Sequence, residues 1–271
     1  MADLPVPANG RVIGECIYCG STNRLTREHA VPYGLNGAWT LHAARCDVCA
    51  GITHRFERDT LKSLFPAVRT VLAMQTRRLK KRPKTLPLIL ETEGVQRTVD
   101  VDATQFPLYL PIIEFPPPGV VEGRSRDQNI PTPVLDFRHL AGPSFADIAT
   151  RYPDADFIGA RVNFAPEDFG RTLAKIGCCT AVFTLGVAPF RDAPIRRVIR
   201  SEDLDVCRWV GSWTGEEQNL PKGLHAMKVR AAGADVHVIL RLFAQFGAPE
   251  YHVALGPAAP EFTNSPDWPW K

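Results

Sequence analysis

No apolar run in this chain approaches the ~20 residues needed to span a bilayer. The N-terminal stretch has no apolar segment of signal-peptide length. A phosphate loop of the form Gly-x-x-x-x-Gly-Lys is absent, as are internal repeats. Charge of one sign is scarce as well, the net balance being only +3. These absences set aside a membrane partner and point to a soluble, cytoplasmic protein. What is there suits that reading. In 271 residues, 45% hydrophobic and 23% charged, there is enough apolar material for a sizeable core in one large or two ordinary domains.

The seven cysteines divide unequally. Four fall into two knuckles, Cys16-x-x-Cys19 and Cys46-x-x-Cys49, with 26 residues between them. Two such pairs can close one tetrahedral zinc site, because each knuckle presents two sulfurs to one ion and thiolates suit Zn²⁺. The other three, Cys178, Cys179 and Cys207, are an odd number in largely apolar surroundings and read as buried free thiols. Adjacent cysteines such as Cys178 and Cys179 make a poor disulfide.

The modest net charge hides an uneven distribution. Residues 1–84 carry 14 Lys/Arg against 6 Asp/Glu, whereas residues 85–271 carry 18 against 23. A basic front on an acidic back suggests that the first part meets a polyanion. The densest run is Arg77-Arg78-Leu79-Lys80-Lys81-Arg82-Pro83-Lys84, which serves either as a solvated linker or as a strap along phosphates.

Between the knuckles lies the doublet Glu28-His29, followed by Ala30-Val31-Pro32 and a glycine-containing turn, Tyr33 to Gly37. With the second knuckle opening a helix, residues 14 to 60 resemble the HNH endonucleases, the ββα-metal nucleases, in their zinc-stapled form. Pro32 and Gly34 end a strand over Arg27–Val31, Thr40–Arg45 reads as the second strand of the hairpin, and apolar residues at helical spacing predict a helix over 47–64. The resemblance implies a hydrolytic site in which Glu28 binds a divalent cation and His29 is the general base that takes a proton from the attacking water. Positions 50 and 54 share a helix face. The family's ligand after the last knuckle cysteine is replaced here by Ala50, so His54 is the candidate second ligand. Mg²⁺ suits the carboxylate, and a histidine ligand favours Mn²⁺, Ni²⁺ or Zn²⁺. The family asparagine that orients the base is missing too. Thr40 stands about where it belongs, with His42 or Asn36 as substitutes.

Further along, the spacing predicts a second helix over Ala67–Leu79 and a strand pair over Leu86–Thr92 and Gln96–Val101. A proline-rich, loop-dominated connection follows over 103–145. A buried helix should start at Ala165-Pro166 and end before Gly186. A shorter helix is expected around Pro194–Val210, with Trp209–Trp213 as an alternative loop start. Three antiparallel strands, His225–Ala231, Val236–Phe243 and Tyr251–Leu255, complete the pattern, with a turn near Gly233 and an irregular tail holding Trp268 and Trp270. His139, His225, His237 and His252 lack patterned partners and read as structural or surface residues.

The expected fold is therefore α+β: a ββα-metal zinc module with a basic tail (1–84), a strand pair and Pro-rich connector (85–145), and a C-terminal α+β domain (146–271) with a buried helix and antiparallel strands. The leading functional expectation is a metal-dependent endonuclease that hydrolyses DNA phosphodiester bonds. Its catalytic residues would be Glu28, His29 and His54. Its cofactors would be a structural Zn²⁺ on Cys16, Cys19, Cys46 and Cys49 and a second divalent cation on Glu28 and His54. Its partner would be double-stranded DNA, held by Arg55, Arg58, Arg77, Arg78, Lys80, Lys81 and Arg82. The alternative is a zinc-stapled nucleic-acid-binding or interaction module that turns over weakly or not at all.

Overall fold

The computed structural model describes residues 10–128, 132–213, 222–232 and 234–260. The fold is α+β. Three strands open it: β1 (Arg11–Val12), β2 (Thr26–His29) and β3 (Thr40–Arg45), in the order β1-β3-β2. β2 and β3 are antiparallel, with Glu28 opposite Leu41 and His29 opposite Thr40. β1 adds in parallel to β3. Residues 11–12 thus tie the start of the chain into a sheet, while residues 1–9 lie outside the described residues.

The loop between β2 and β3 needs glycine at position 37. A Cβ there would lie 1.8 Å from the Val31 carbonyl oxygen, inside van der Waals contact. This close approach brings the chain back so that Ala30 N–H donates to Trp39 O at 2.9 Å.

Helix α1 (Asp47–Ser63) follows the second knuckle, with Asp47 in its first turn against the positive end of the helix dipole. It buries Cys49, Thr53, Phe56 and Thr60, one residue every third or fourth position. α2 (Pro66–Val71) stops well short of the expected Leu79. Ala73 takes a left-handed φ of 50°, and Met74 N–H turns back to Arg69 O, closing the helix end. The basic run beyond is irregular apart from a single 3₁₀ turn at Leu79–Lys81.

Next come β4 (Thr85–Thr92) and β5 (Val95–Asp102), paired antiparallel as the sequence predicts. The segment expected to be loop-dominated contains a second hairpin, β6 (Leu108–Glu114) with β7 (Val134–Ala141). The prolines misled because most of them sit in the connection after β6. Only Pro111 lies within a paired strand there, and in a two-stranded sheet its missing N–H can face an open edge. Leu108, Leu110, Ile112 and Ile113 are buried, so the strand is anchored by its apolar side chains. The short α3 (Phe145–Ala149) is held by a Ser144/Asp147 capping box, and β8 (Phe157–Gly159) adds to β4.

The central helix is α4 (Pro166–Leu185). Pro166 occupies the first turn with Glu167 and Asp168, and Gly186 ends the helix at φ 88°. From Phe169 to Phe183 every residue except Arg171 is buried. A helix can be buried all round only when neighbours cover each face. On one side α1 packs against it, with Thr60 and Thr172 hydroxyls 3.0 Å apart. Trp39 from the β2–β3 loop stacks on Phe183, ring centroids 5.7 Å apart. On another side lies a four-stranded sheet. α5 (Ile195–Ile199) and β9 (Val210–Trp213) precede its hairpin, β10 (His225–Ala232) with β11 (Asp235–Leu242), and β12 (Glu250–Pro257) completes it in the order β10-β11-β12-β9. α4 and β12 come so close that a Cβ on Gly177 would sit 2.7 Å from Val253.

The expected three-stranded meander thus gains a fourth strand, and Trp209–Trp213 is neither helix nor loop start. Val210 to Trp213 pair with Val253 to Glu250, bringing Val210, Gly211 and Ser212 into the core. The helix predicted over 194–210 shrinks to α5, because Ser201 turns left-handed at φ 63°. The turn residue Gly233 and the tail with Trp268 and Trp270 lie outside the described residues. The main hydrophobic core runs without a break from the zinc knuckles through α4 to this sheet. No helix among the described residues is long and apolar enough to cross a membrane.

Candidate metal centre and the buried doublet

The two knuckles meet. The sulfurs of Cys16, Cys19, Cys46 and Cys49 all lie within 4.8 Å of one another, a set that can hold one metal ion. Cys19 and Cys46 Sγ are 3.6 Å apart, close to the ~3.8 Å edge that a tetrahedron of ~2.3 Å Zn–S bonds requires. Backbone geometry prepares the first knuckle, where Gly20 N–H donates to Cys16 O and Cys16 N–H to Ser21 O. Crowding makes thiolate available. A hydrogen bond from Cys49 pulls the Cys16 thiol down to about 4, and the same shared proton pushes Cys49 upward. The donor set, spacing and burial fit structural zinc. Among the described residues this is the one group of three or more His, Cys, Asp or Glu side chains so placed.

The doublet is split between two environments. Successive strand residues face opposite ways, and Glu28 points inward, 1% exposed, while His29 stands half-buried at the strand end. Glu28 is paired on both sides. Its Oε1 is 2.8 Å from Lys175 Nζ, and its Oε2 is 3.0 Å from an Arg45 guanidinium nitrogen. Lys175, fully buried on α4, also lies 2.7 Å from Glu57 Oε1 on α1. It donates to the backbone oxygens of His29 and, at 3.3 Å, of Ala30. Arg45 in turn reaches Thr53 Oγ1 at 3.4 Å.

Four oxygens, two from carboxylates and two from carbonyls, thus surround one ammonium. Two carboxylates and two cations close the charge balance inside the protein. Burial works against the charge on Lys175, yet Glu28 and Glu57 outweigh it and the ammonium holds its proton more tightly than an ordinary lysine. Burial raises the Glu57 carboxyl, against the pull of Lys175. Glu28 Oε2 and Glu57 Oε1 have no aligned hydrogen bond, so their hold on Arg45 and Lys175 is Coulombic.

Of the expected catalytic set, Glu28 is therefore sealed from solvent and engaged by protein cations, whereas His54 stands exposed on the outer face of α1 beside Arg55 and Arg58. His29 is held by its neighbours rather than by an asparagine. Its ring meets Tyr33 edge-on, centroids 5.7 Å apart. Burial, then Lys175, hold its pKa below the usual histidine value, with Arg27 and Arg77 adding in the same direction. The substitutes considered for the absent asparagine are occupied or remote from that task. Asn36 Oδ1 accepts from Gln75 N–H at 2.7 Å, and His42 stands exposed on β3 opposite Val12.

The phosphate-contact candidates also separate. Arg55, Arg77, Arg78, Lys80 and Lys81 are exposed, and no side-chain hydrogen bond or ion pair holds them among the described residues. Arg58 forks onto Asp59 at 2.8 and 3.2 Å, and Arg82 folds back to donate to Met74 O. Sequence reasoning missed Lys175, Glu57 and Arg45. Of these, only Lys175 left a trace, a lysine inside the apolar second half of a helix expected to be buried.

Comparison with models of protein families gives no match, and no match is found among the curated proteins or the solved structures.

Two outcomes follow from this geometry. Lys175→Met keeps the volume of the side chain and leaves Glu57 without its cation, while Glu28 retains Arg45. It should cost about 3–5 kcal/mol in urea denaturation, and Glu57→Gln in the same chain should restore most of the loss. Second, His29, His225, His237 and His252 are all held below the ordinary value of 6.5, burial being the largest cause for each. The unfolded chain therefore takes up protons that the folded chain refuses. Stability is complete above about 6.5 and falls as the pH drops below it, which thermal denaturation at pH 7.5 and 5.5 should register as a lower midpoint in acid.

Proposed function

We propose that this chain is a zinc-stapled nucleic-acid-binding module built on an HNH-like ββα scaffold, in which no hydrolytic cation is assembled. One observation carries the reading. The doublet carboxylate, the residue the resemblance assigns to the cation, has both oxygens committed to Lys175 and Arg45 at 1% exposure. A divalent ion would have to displace a buried ammonium and a guanidinium to reach it, and the carboxylate offers hard oxygen donors only once freed.

Nucleic acid as the partner is supported by the exposed cations. Arg77, Arg78, Lys80 and Lys81 stand uncommitted, and Arg77 and Arg27 act electrostatically on His29. Strap and doublet thus belong to one electropositive neighbourhood. Such a surface follows a phosphate backbone and gives binding that weakens steeply with salt. Double-stranded DNA is the polyanion assigned to it. The endonuclease reading draws support from a different observation: His29 is half-buried and held neutral near pH 7, the state a general base needs.

Both readings are tested with one preparation. Fluorescence anisotropy on duplex DNA should show binding whose log–log salt slope falls by about 3 to 4 when Arg77, Arg78, Lys80 and Lys81 are all changed to alanine. Plasmid nicking in Mg²⁺, Mn²⁺ or Ni²⁺ should not exceed that of His29→Ala. Cation-dependent nicking that His29→Ala abolishes would replace the binding module with the enzyme. An unchanged salt slope would remove the strap from the interface.

A further inference from the structure

Beside the first zinc knuckle lies a cavity of about 460 Å³, lined by residues of neither the buried doublet nor the basic strap. One wall is the knuckle itself, with Cys19 and Gly20. The other is the segment from Arg191 to Arg200, which turns through α5 and brings four arginines to the same space. They are not equivalent. Arg191 is matched, its guanidinium forking onto Glu15 at 2.6 and 3.0 Å. Arg200 donates to Tyr18 O at 3.0 Å and pairs with Glu202 at 2.5 Å.

The remaining two have no carboxylate partner among the described residues. Arg196 is 6% exposed and donates through Nε to Tyr18 O at 3.0 Å. That bond holds the guanidinium by its Nε edge, and Nη2 lies 3.8 Å from where a Cβ on the cavity-lining Gly20 would stand. Arg197 is exposed, and among the described residues no hydrogen bond or ion pair holds its side chain elsewhere. Against these two charges the lining offers the exposed Asp192, which also acts on Arg191, and the sulfur of Cys19. A nearly buried guanidinium oriented by a backbone carbonyl, with a free one beside it, is a fork arrangement that suits the oxygens of a tetrahedral oxyanion.

We propose that this cavity binds a phosphate monoester, with Arg196 as the preset donor and Arg197 closing over the anion. The two guanidiniums favour a monoester over the interior of a polynucleotide. A monoester presents three free oxygens and two charges to Arg196 and Arg197, whereas a phosphodiester presents two oxygens and one charge. Two sources share that chemistry, a free nucleotide and the phosphorylated 5′ end of a strand. The site is independent of the doublet and of the basic strap, so its failure leaves the proposed function standing.

The test uses the zinc-loaded full chain with inorganic phosphate, AMP, and short oligonucleotides bearing either a 5′-phosphate or a 5′-hydroxyl, read by isothermal titration calorimetry. Arg197→Ala should weaken phosphate and AMP binding by about tenfold, and Arg197→Glu should weaken it further, since one charge-assisted bond is lost and then a repulsion is added. Because Arg197 is exposed and its side chain is unpartnered, both variants should keep the wild-type melting temperature. A preference for the 5′-phosphorylated oligonucleotide over AMP would assign the monoester to a strand end, and the reverse preference to a nucleotide. No heat at millimolar phosphate and AMP, or binding that Arg197→Glu leaves unchanged, would overturn the proposal.

Discussion

The ammonium of Lys175 ties the two ends of the chain together. It is supplied by α4, far along the sequence, and is received by Glu28 on β2, Glu57 on α1 and the backbone of residues 29–30. Burying a charge is costly unless it is paired and solvated by other groups, and here four oxygens do what water would do. The consequence is structural before it is functional. The hairpin and helix of the zinc module cannot keep two carboxylates buried without α4, and α4 cannot keep a lysine buried without the module. Two further contacts reinforce the same junction, Trp39 stacked on Phe183 and a hydrogen bond between the Thr60 and Thr172 hydroxyls.

The zinc site works at a shorter range. Two knuckles 26 residues apart bring their four sulfurs to a place that can hold one ion, and the loop they enclose contains the whole β2–β3 hairpin. Arg196 and Arg200 both donate to the carbonyl of Tyr18, inside the first knuckle. α5 therefore buttresses the cysteines from outside while α4 buttresses the doublet from beneath. A small ββα unit has little core of its own, and in this chain α4 and α5 supply packing that a metal on the four cysteines would reinforce.

Much of this was legible in the residues. Cysteine spacing marked the metal centre, because ligand geometry is local to each knuckle. The apolar, glycine-ended run after Pro166 marked α4, and alternating strands marked the last sheet. What escaped depends on distant partners. A proline-rich segment reads as loop until one sees that its prolines flank the strands. Glu57 and Arg45 look like ordinary surface charges of a helix and a strand, and nothing nearby in sequence says that α4 will cover them. The same limit shaped the reading of Glu28. The resemblance assigns it a cation, and the only sign that the cation is an amino group was one lysine in a buried helix.

The central claim, that the doublet's cation is Lys175 and not a metal ion, is tested most directly by counting ions. Mn²⁺ titrated into the zinc-loaded chain and followed by electron paramagnetic resonance should remain free, leaving zinc on the four cysteines as the tightly held metal. Uptake of one equivalent of Mn²⁺ by the wild-type chain, abolished by Glu28→Ala, would contradict it.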